Sequence, residues 1–279
     1  MLIRCWGARG SIPVSGETYL RYGGDTPCME IRTANDEIVI IDAGSGARRL
    51  GNRLIDEGRY DYTLIFTHAH WDHIMGFPFF KPIYRQDTHI RLMGCPFAQR
   101  TVREMIARIM TPPNFPVNFE EIRATIDYEE TCALSFSVGS LAVTPIALSH
   151  PNQGIGYRFE EDGKSFVFLT DNELGFQHPG GLGRLDYVQF CRNADLLFHD
   201  AQYTDEEYKR TRGWGHSTYA QAIDLAIEAG VKSLVLFHHD PDRTDDDLDR
   251  QVERCRQRIE KAGAALQCEP AAEGMVFEL

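Results

Sequence analysis

Apolar residues in this chain fall into short runs separated by Gly, Pro, Asn and Asp, the punctuation of alternating strands and helices. Residues 2–6 predict a strand, broken into a loop by Gly7, Gly10 and Pro13. Residues 28–33 and 37–41 predict a hairpin closed by Asn35-Asp36. DAGSG at 42–46 ends the second strand and opens a helix running to about Glu57, with Gly58 behind it. Residues 64–67, LIFT, predict another strand, and after His73 the chain turns helical through Phe80. Residues 81–130 differ in character: a strand at 90–93, a helix from about 98 to 110, then the stiff aromatic run TPPNFPVNF at 111–119. This segment predicts a small cap insertion.

The second half returns to strands at 134–138, 141–148, 155–159 and 165–169. Helices at 183–193, 204–210 and 217–229 then alternate with strands at 195–198 and 232–237; Ser217 or Thr218 caps the third helix and Gly230 follows it. Thr244 caps a long helix whose first turn, Asp245-Asp246-Asp247, complements the macrodipole, and 275–279 form a last strand. No low-complexity linker interrupts the chain, so the simplest account is one α/β domain over 1–279 with the insertion at about 81–130.

Five of these strands end alike. LIFT runs into His68, PIALS into His150, FVFLT into Asp171, LLFH into Asp200 and LVLF into His238. A single Asp after a strand is usually a turn residue, but ligands in layered α/β folds collect outside the carboxyl ends of strands. Five such ends predict one convergent site. The first is the most crowded: HAHWDH packs three histidines and an aspartate into six positions. Half-buried imidazoles need partners, and neutral imidazole with carboxylate is the donor set that Zn²⁺ and similar borderline cations take. His68 and His70 alternate, so an extended loop points both the same way. His89 is assigned to strand structure, and His199 points opposite to Asp200, toward the core or a supporting position. His178, in the loop FQHPGG, is left out of the site as solvated.

Composition narrows the partners. A net charge of −12 argues against general affinity for long nucleic acid, which rests on clustered Lys and Arg. Against that background, residues 81–110 carry six bases (Lys81, Arg85, Arg91, Arg100, Arg103, Arg108) and two acids (Asp87, Glu104). A solvated helix face is the plain reading, and a cap favouring an anionic substrate the functional one. Seven cysteines, scattered and never spaced CxxC, read as reduced, mostly buried thiols of a cytoplasmic protein. No stretch approaches the ~20 apolar residues of a membrane span.

HAHWDH resembles the HxHxDH signature of the metallo-β-lactamase fold superfamily, and DAGSG resembles its first motif. His150, Asp171 and His238 stand where its later metal-ligand motifs lie. The resemblance spans nearly the whole chain and implies an αββα sandwich with a binuclear site at one edge. It implies His68, His70 and His150 on one metal, Asp72, His73 and His238 on the other, and Asp171 bridging both, with Asp72 also among the catalytic residues. Two divalent cations are implied, zinc first, with manganese or iron as alternatives.

GHST at 215–218 and HDAQY at 199–203 resemble late motifs of the phosphodiesterase branch, which includes RNase Z, its phosphonate-pathway relatives and some cyclic-nucleotide phosphodiesterases. Carried over, His216 is the general acid or transition-state stabiliser and Asp200 its orienting partner, standing where RNase Z commonly has Glu. The reaction so implied is attack on phosphorus by hydroxide bridging the metals. RNase Z carries a tRNA-binding arm between its third and fourth motifs, whereas His150 and Asp171 are only 21 positions apart. A small phosphodiester such as a cyclic nucleotide is therefore expected in place of tRNA. Residues 81–130 are expected to set substrate choice, with Phe115 and Phe119 either stacking on a base or packing the cap. A thioesterase or lactonase of the same fold and a non-hydrolytic metal-binding protein are the competing expectations, and oligomeric state is left open.

Overall fold

Two seven-stranded sheets account for the short apolar runs. The computed structural model describes residues 1–93, 102–129 and 135–279. The first sheet takes β1 (Leu2–Gly7), β2 (Cys28–Arg32), β3 (Ile38–Ile41), β4 (Asp61–Ile65), β5 (His89–Met93) and β6 (Thr125–Glu129). The second takes β7 (Phe136–Val138), β8 (Leu141–Ala147), β9 (Ile155–Glu161), β10 (Lys164–Leu169), β11 (Leu196–Asp200), β12 (Ser233–Phe237) and β13 (Gln267–Pro270). β14 (Val276–Glu278) returns to pair with β1. The helices are α1 (Ala47–Asp56), α2 (Trp71–Ile74), α3 (Val102–Ile109), α4 (Arg184–Phe190), α5 (Asp205–Thr211), α6 (Tyr219–Ala229) and α7 (Asp245–Lys261).

Side-chain alternation turns these elements into four layers, the expected αββα sandwich. Val39 and Ile41 of β3, with Phe166 and Phe168 of β10 and Phe198 of β11, fill the space between the sheets. Their neighbours Ile38 and Ile40 face outward under Leu50 and Leu54 of α1. Val167, Leu169 and Leu197 face the other way, under α4, α6 and α7. Both faces of the central strands are covered, which is why they read as unbroken apolar runs. β3 to β6 run parallel, as do β10 to β13. β8 is antiparallel to β9 and β9 to β10, so the carboxyl end of β8 lies at the same edge as that of β10.

Several expectations shift. The helix expected from His73 through Phe80 is only the four-residue α2, followed by 3-10 turns at Phe77–Phe79 and Lys81–Tyr84. Pro78 and Pro82 fall in those turns and cannot donate to a continuing helix. Within the stretch expected as a cap, β5 and β6 are strands of the first sheet. β6 (TIDYE) and β13 (QCEP) were not expected; both are sheet edges, where polar residues replace the apolar run. Part of the helix expected at 98–110, residue 134, Arg100, Cys95 and Cys132 lie outside the described residues. The five described cysteines are buried and unpaired. Among the described residues no helix is long and apolar enough to cross a membrane.

Phe166 is fully buried, stacked on Phe159 at 5.6 Å and edge-on to Phe198 at 5.5 Å. Phe166→Ala is expected to remove about 3–5 kcal/mol of stability through lost burial and a residual cavity. Urea denaturation of the variant checks it, and a loss under about 1 kcal/mol would mean the inter-sheet core re-closes around the gap.

Candidate metal centre

The site is assembled at the carboxyl ends of strands from both sheets. Past β4 the chain runs to His70, whose extended backbone (φ −65°, ψ 153°) places it just before α2, which carries Asp72 and His73. Three residues at strand ends turn sharply: Asp42 after β3, Asp171 after β10 and His238 after β12 have φ of 61°, 51° and 60°. Left-handed backbone at a non-glycine residue costs about 1–3 kcal/mol and persists only where surrounding bonds over-determine it.

Ligand-type atoms of His68, His70, His150 and Asp171 lie within 4.8 Å of one another, as do those of Asp72, His73, Asp171 and His238. Asp171 belongs to both groups. Its Oδ1 stands 3.6 Å from Nε2 of His68 and of His150. Its Oδ2 stands 3.1 Å from His73 Nε2 and 3.3 Å from His238 Nε2. Asp72 Oδ2 lies 3.0 Å from His238 Nε2 and accepts from the Ser11 N–H at 2.8 Å. All but His70 are buried.

The far nitrogens of the rings are anchored. His73 Nδ1–H donates to Asp42 Oδ2 at 2.7 Å, His150 Nδ1–H to the Gly215 carbonyl at 2.9 Å and His238 Nδ1–H to Gln202 Oε1 at 2.9 Å. His68 Nδ1–H donates at 3.1 Å to the Thr67 hydroxyl, which itself donates to Asp42. Each bond leaves Nε2 facing the cluster, the orientation that supports a metal-ligating imidazole. Two glycines make room: a Cβ at Gly10 would lie 2.4 Å from His238 Nδ1, and one at Gly215 would lie 2.2 Å from His150 Nδ1. Sequence reasoning assigns no role to Thr67 or Ser11, which meet the site only through folding, nor to Gln202 and Gly215, although these stand in the HDAQY and GHST motifs. Asp42 carried a signal, the DAGSG motif, without an assigned role.

Electrostatics divides the two groups. Burial raises the Asp42 carboxyl. Burial acts the same way on Asp72 and Asp171, but His73 and His238 hold Asp72 well below the usual carboxylate range, and His238, His73 and His68 do so for Asp171. Among the imidazoles, burial lowers His68 and His70, and takes His150 down to about 3. Burial opposes charge on His73 and His238 too. There Asp72 and Asp171 prevail, raising His73 well above its ordinary value, and Asp171 with Asp72 pushes His238 up to about 9.

This donor set fits divalent cations. Nε2 of His68 and of His73 is buried and makes no hydrogen bond, and His70 Nδ1 faces His150 Nε2 across 3.0 Å. Buried polar atoms are normally partnered, and imidazole nitrogens converging on a shared carboxylate are what zinc-like ions take up.

Asp200 and His216 stand beside both groups. His216 Nδ1–H donates to Asp200 Oδ2 at 2.6 Å, while Asp200 Oδ1 accepts from the N–H groups of Ser217 and Gln202 at 3.1 and 3.2 Å. The His216 ring stacks on His238 with centroids 4.7 Å apart and meets His150 edge-on at 5.3 Å. The fold thus brings the nine candidate residues to one place, in three groups that share Asp171 and His238.

The remaining histidines differ. His178 lies outside the cluster but is buried rather than solvated, donating from Nε2–H to Glu173 Oε2 at 2.8 Å. His199 is buried and donates from Nδ1–H to the Asp200 carbonyl at 2.7 Å. His89 is exposed at the head of β5. Of the basic excess near 81–110, Arg85 pairs with Asp87, Arg91 with Glu129 and Arg103 with Glu120, each at 2.7 Å. Phe119 is buried, and Phe115 packs edge-on against Phe79 at 5.5 Å.

Comparison with known proteins agrees with this geometry. The family model described as "Beta-lactamase superfamily domain" matches residues 38–239, a span containing all nine candidate residues. Ribonuclease Z of Haloarcula marismortui is 23% identical over 274 residues, covering 79% of this chain and 85% of its own. The short form of human tRNase Z superposes with a TM-score of 0.68 at 21% identity, covering 100% of this chain and 99% of its own. A diphosphatase of the PhnP family superposes with a TM-score of 0.69 at 18% identity, covering 100% and 97%. The chain belongs to the beta-lactamase superfamily, on its RNase Z-like branch, and is a metal-dependent hydrolase.

Proposed function

We propose that this chain is a binuclear phosphodiesterase acting on a small phosphodiester such as a cyclic nucleotide. The observation that carries the reading is the His216–Asp200 pair, whose imidazole packs against one histidine of each ligand group. His68, His70 and His150 would hold one cation and Asp72, His73 and His238 the other, with Asp171 between them. Cations bound there supply charge neutralisation for phosphoryl oxygens and acidify water toward neutral pH. The chain's own residues position and move the proton. Asp200, held by two backbone amides, fixes the His216 ring through Nδ1, so Nε2 is the atom that delivers a proton to the departing oxygen.

The interval between His150 and Asp171 supports a small substrate. It is filled by β9 and β10, paired as a hairpin within the second sheet, and leaves no length for an arm. The names of the relatives favour a second reading, an RNA phosphodiester, because the curated protein cited above is a ribonuclease Z. The diphosphatase neighbour favours a small one.

A panel of 2′,3′- and 3′,5′-cyclic nucleotides, dinucleotides, short RNA and precursor tRNA, assayed with metal-reconstituted enzyme, separates the two. Turnover is expected on the small diesters; activity confined to precursor tRNA would reverse the substrate assignment. His216→Ala is expected to lower kcat by about 10²–10⁴-fold while the metal content per chain, read by plasma mass spectrometry, stays at the wild-type value. Full diesterase activity in that variant would remove His216 from the chemistry. Chelation is expected to abolish turnover and lower the thermal midpoint, with both restored by added Zn²⁺ or Mn²⁺. An unchanged midpoint would argue that the cluster holds no ion.

A further inference from the structure

Glu173 lies two positions past Asp171 and is only 1% exposed, yet it is neither a ligand-group member nor a partner of His216. Its carboxylate is surrounded by donors. Oε1 accepts from Tyr208 Oη at 2.6 Å and from the Gly213 N–H at 2.7 Å; Oε2 accepts from the Gly215 N–H at 2.7 Å and from His178 Nε2–H at 2.8 Å. An ionised carboxylate is an acceptor-only group with about four lone-pair sites, and four donors use them all. An amide is a poor substitute. Whichever way a glutamine were turned, its NH₂ would face the backbone N–H of Gly213 or of Gly215.

The segment that Glu173 holds is the one that matters for the site. Gly215, bonded through its N–H to Glu173, presents its carbonyl to His150 Nδ1–H at 2.9 Å, and the next residue is His216. Gly213 and Gly215 have φ of +88° and +97°, so no side chain of their own can fix the turn. The backbone N–H of Glu173 also donates to the Ser149 carbonyl at 2.8 Å, and Asn172 Oδ1 accepts from the Ser149 N–H at 3.0 Å. One short segment after β10 therefore grips the loop before His150 and the loop before His216.

We infer that Glu173, backed by His178, is a positioning residue: it aims His150 at the first ligand group and sets His216 against the departing oxygen. Only the kinetic half of this inference rests on the phosphodiesterase reading. Outer-sphere partners of metal ligands typically change metal affinity or activity by about 10–100-fold when mutated, and the chain Glu173–Gly215–His150 is such a partnership through backbone.

The test is calorimetric titration of Zn²⁺ into the metal-free wild type and into Glu173→Gln, followed by kinetics at saturating metal. Glu173→Gln is expected to weaken one of two binding events by about tenfold and leave the other unchanged. With both events saturated, kcat is expected to fall by about tenfold or more while KM changes little. Glu173→Asp, which keeps the acceptor-only head on a shorter arm, is expected to recover part of both. A purely structural role predicts a lower thermal midpoint with both metal affinities and kcat per folded molecule unchanged, and that result overturns the inference. Should Glu173→Gln not fold, Tyr208→Phe removes one donor and keeps the ring; it is expected to shift the same binding event by a smaller factor, and no shift overturns the inference. A wild type that binds two ions but cleaves no diester would sink the proposed function and leave the titration a valid test of Glu173.

Discussion

One buried carboxylate facing four imidazoles is the constraint on which the rest of the site depends. Isolated in a dry interior, Asp171 would be costly by several kcal/mol. Here each of its oxygens faces two ring nitrogens, and Asp72 and Asp42 add further negative charge nearby. The two groups solve the balance differently. Burial disfavours charge on His68, His70 and His150, whereas the carboxylates beside His73 and His238 favour it.

Keeping such a cluster together demands unusual backbone. Asp42, Asp171 and His238 all adopt left-handed φ at the ends of strands, where the chain must turn while the side chain looks back at the sheet edge. The bonds that over-determine these turns are the same ones that orient the rings. Asp42 receives Thr67 N–H and Oγ1–H at 2.7 Å each while it anchors His73, and Gln202 anchors His238. Gly10 and Gly215 complete the device from the other side, because any Cβ there would strike an imidazole.

What the sequence revealed follows from how each feature is encoded. Strands that read as apolar runs announce themselves, whether buried on both faces like β10 to β12 or only partly like β8, and because the candidate ligands follow those runs directly, five ends are legible at once. β6 and β13, with polar edge positions, carried no such signal. The apolar pattern after His73 continues to Phe80, but Pro78 cannot donate to a continuing helix and the chain goes into a 3-10 turn at Phe77–Phe79. His178 is the loop residue its sequence indicates, but it reads as solvated because its partner Glu173 is itself defined by Tyr208, Gly213 and Gly215, 35 to 42 positions downstream. Asp42 lies between these cases: its motif is visible, while its bond to His73 depends on the parallel pairing of β3 with β4.

The two sheets contribute separate halves of the site. His68, His70, Asp72, His73 and Asp42 follow strands of the first; Asp200 is the last residue of a strand of the second, and His150, Asp171 and His238 follow its other strands. What joins the sheets is a layer of Phe159, Phe166, Phe168, Phe198 and Phe237, and burial of that kind is strong but non-directional. Nothing in it fixes one sheet against the other to within a fraction of an ångström. Directional bonds on both flanks of the cluster do. Beside His68, the Ile155 N–H donates to the Thr67 carbonyl at 2.9 Å and Tyr157 Oη donates to the Phe66 carbonyl at 2.9 Å. Beside His238, the Gly10 N–H donates to the His239 carbonyl at 2.8 Å and the His239 N–H to the Ala8 carbonyl at 3.0 Å. The apolar layer supplies the adhesion, and these bonds set where along it the two half-sites meet.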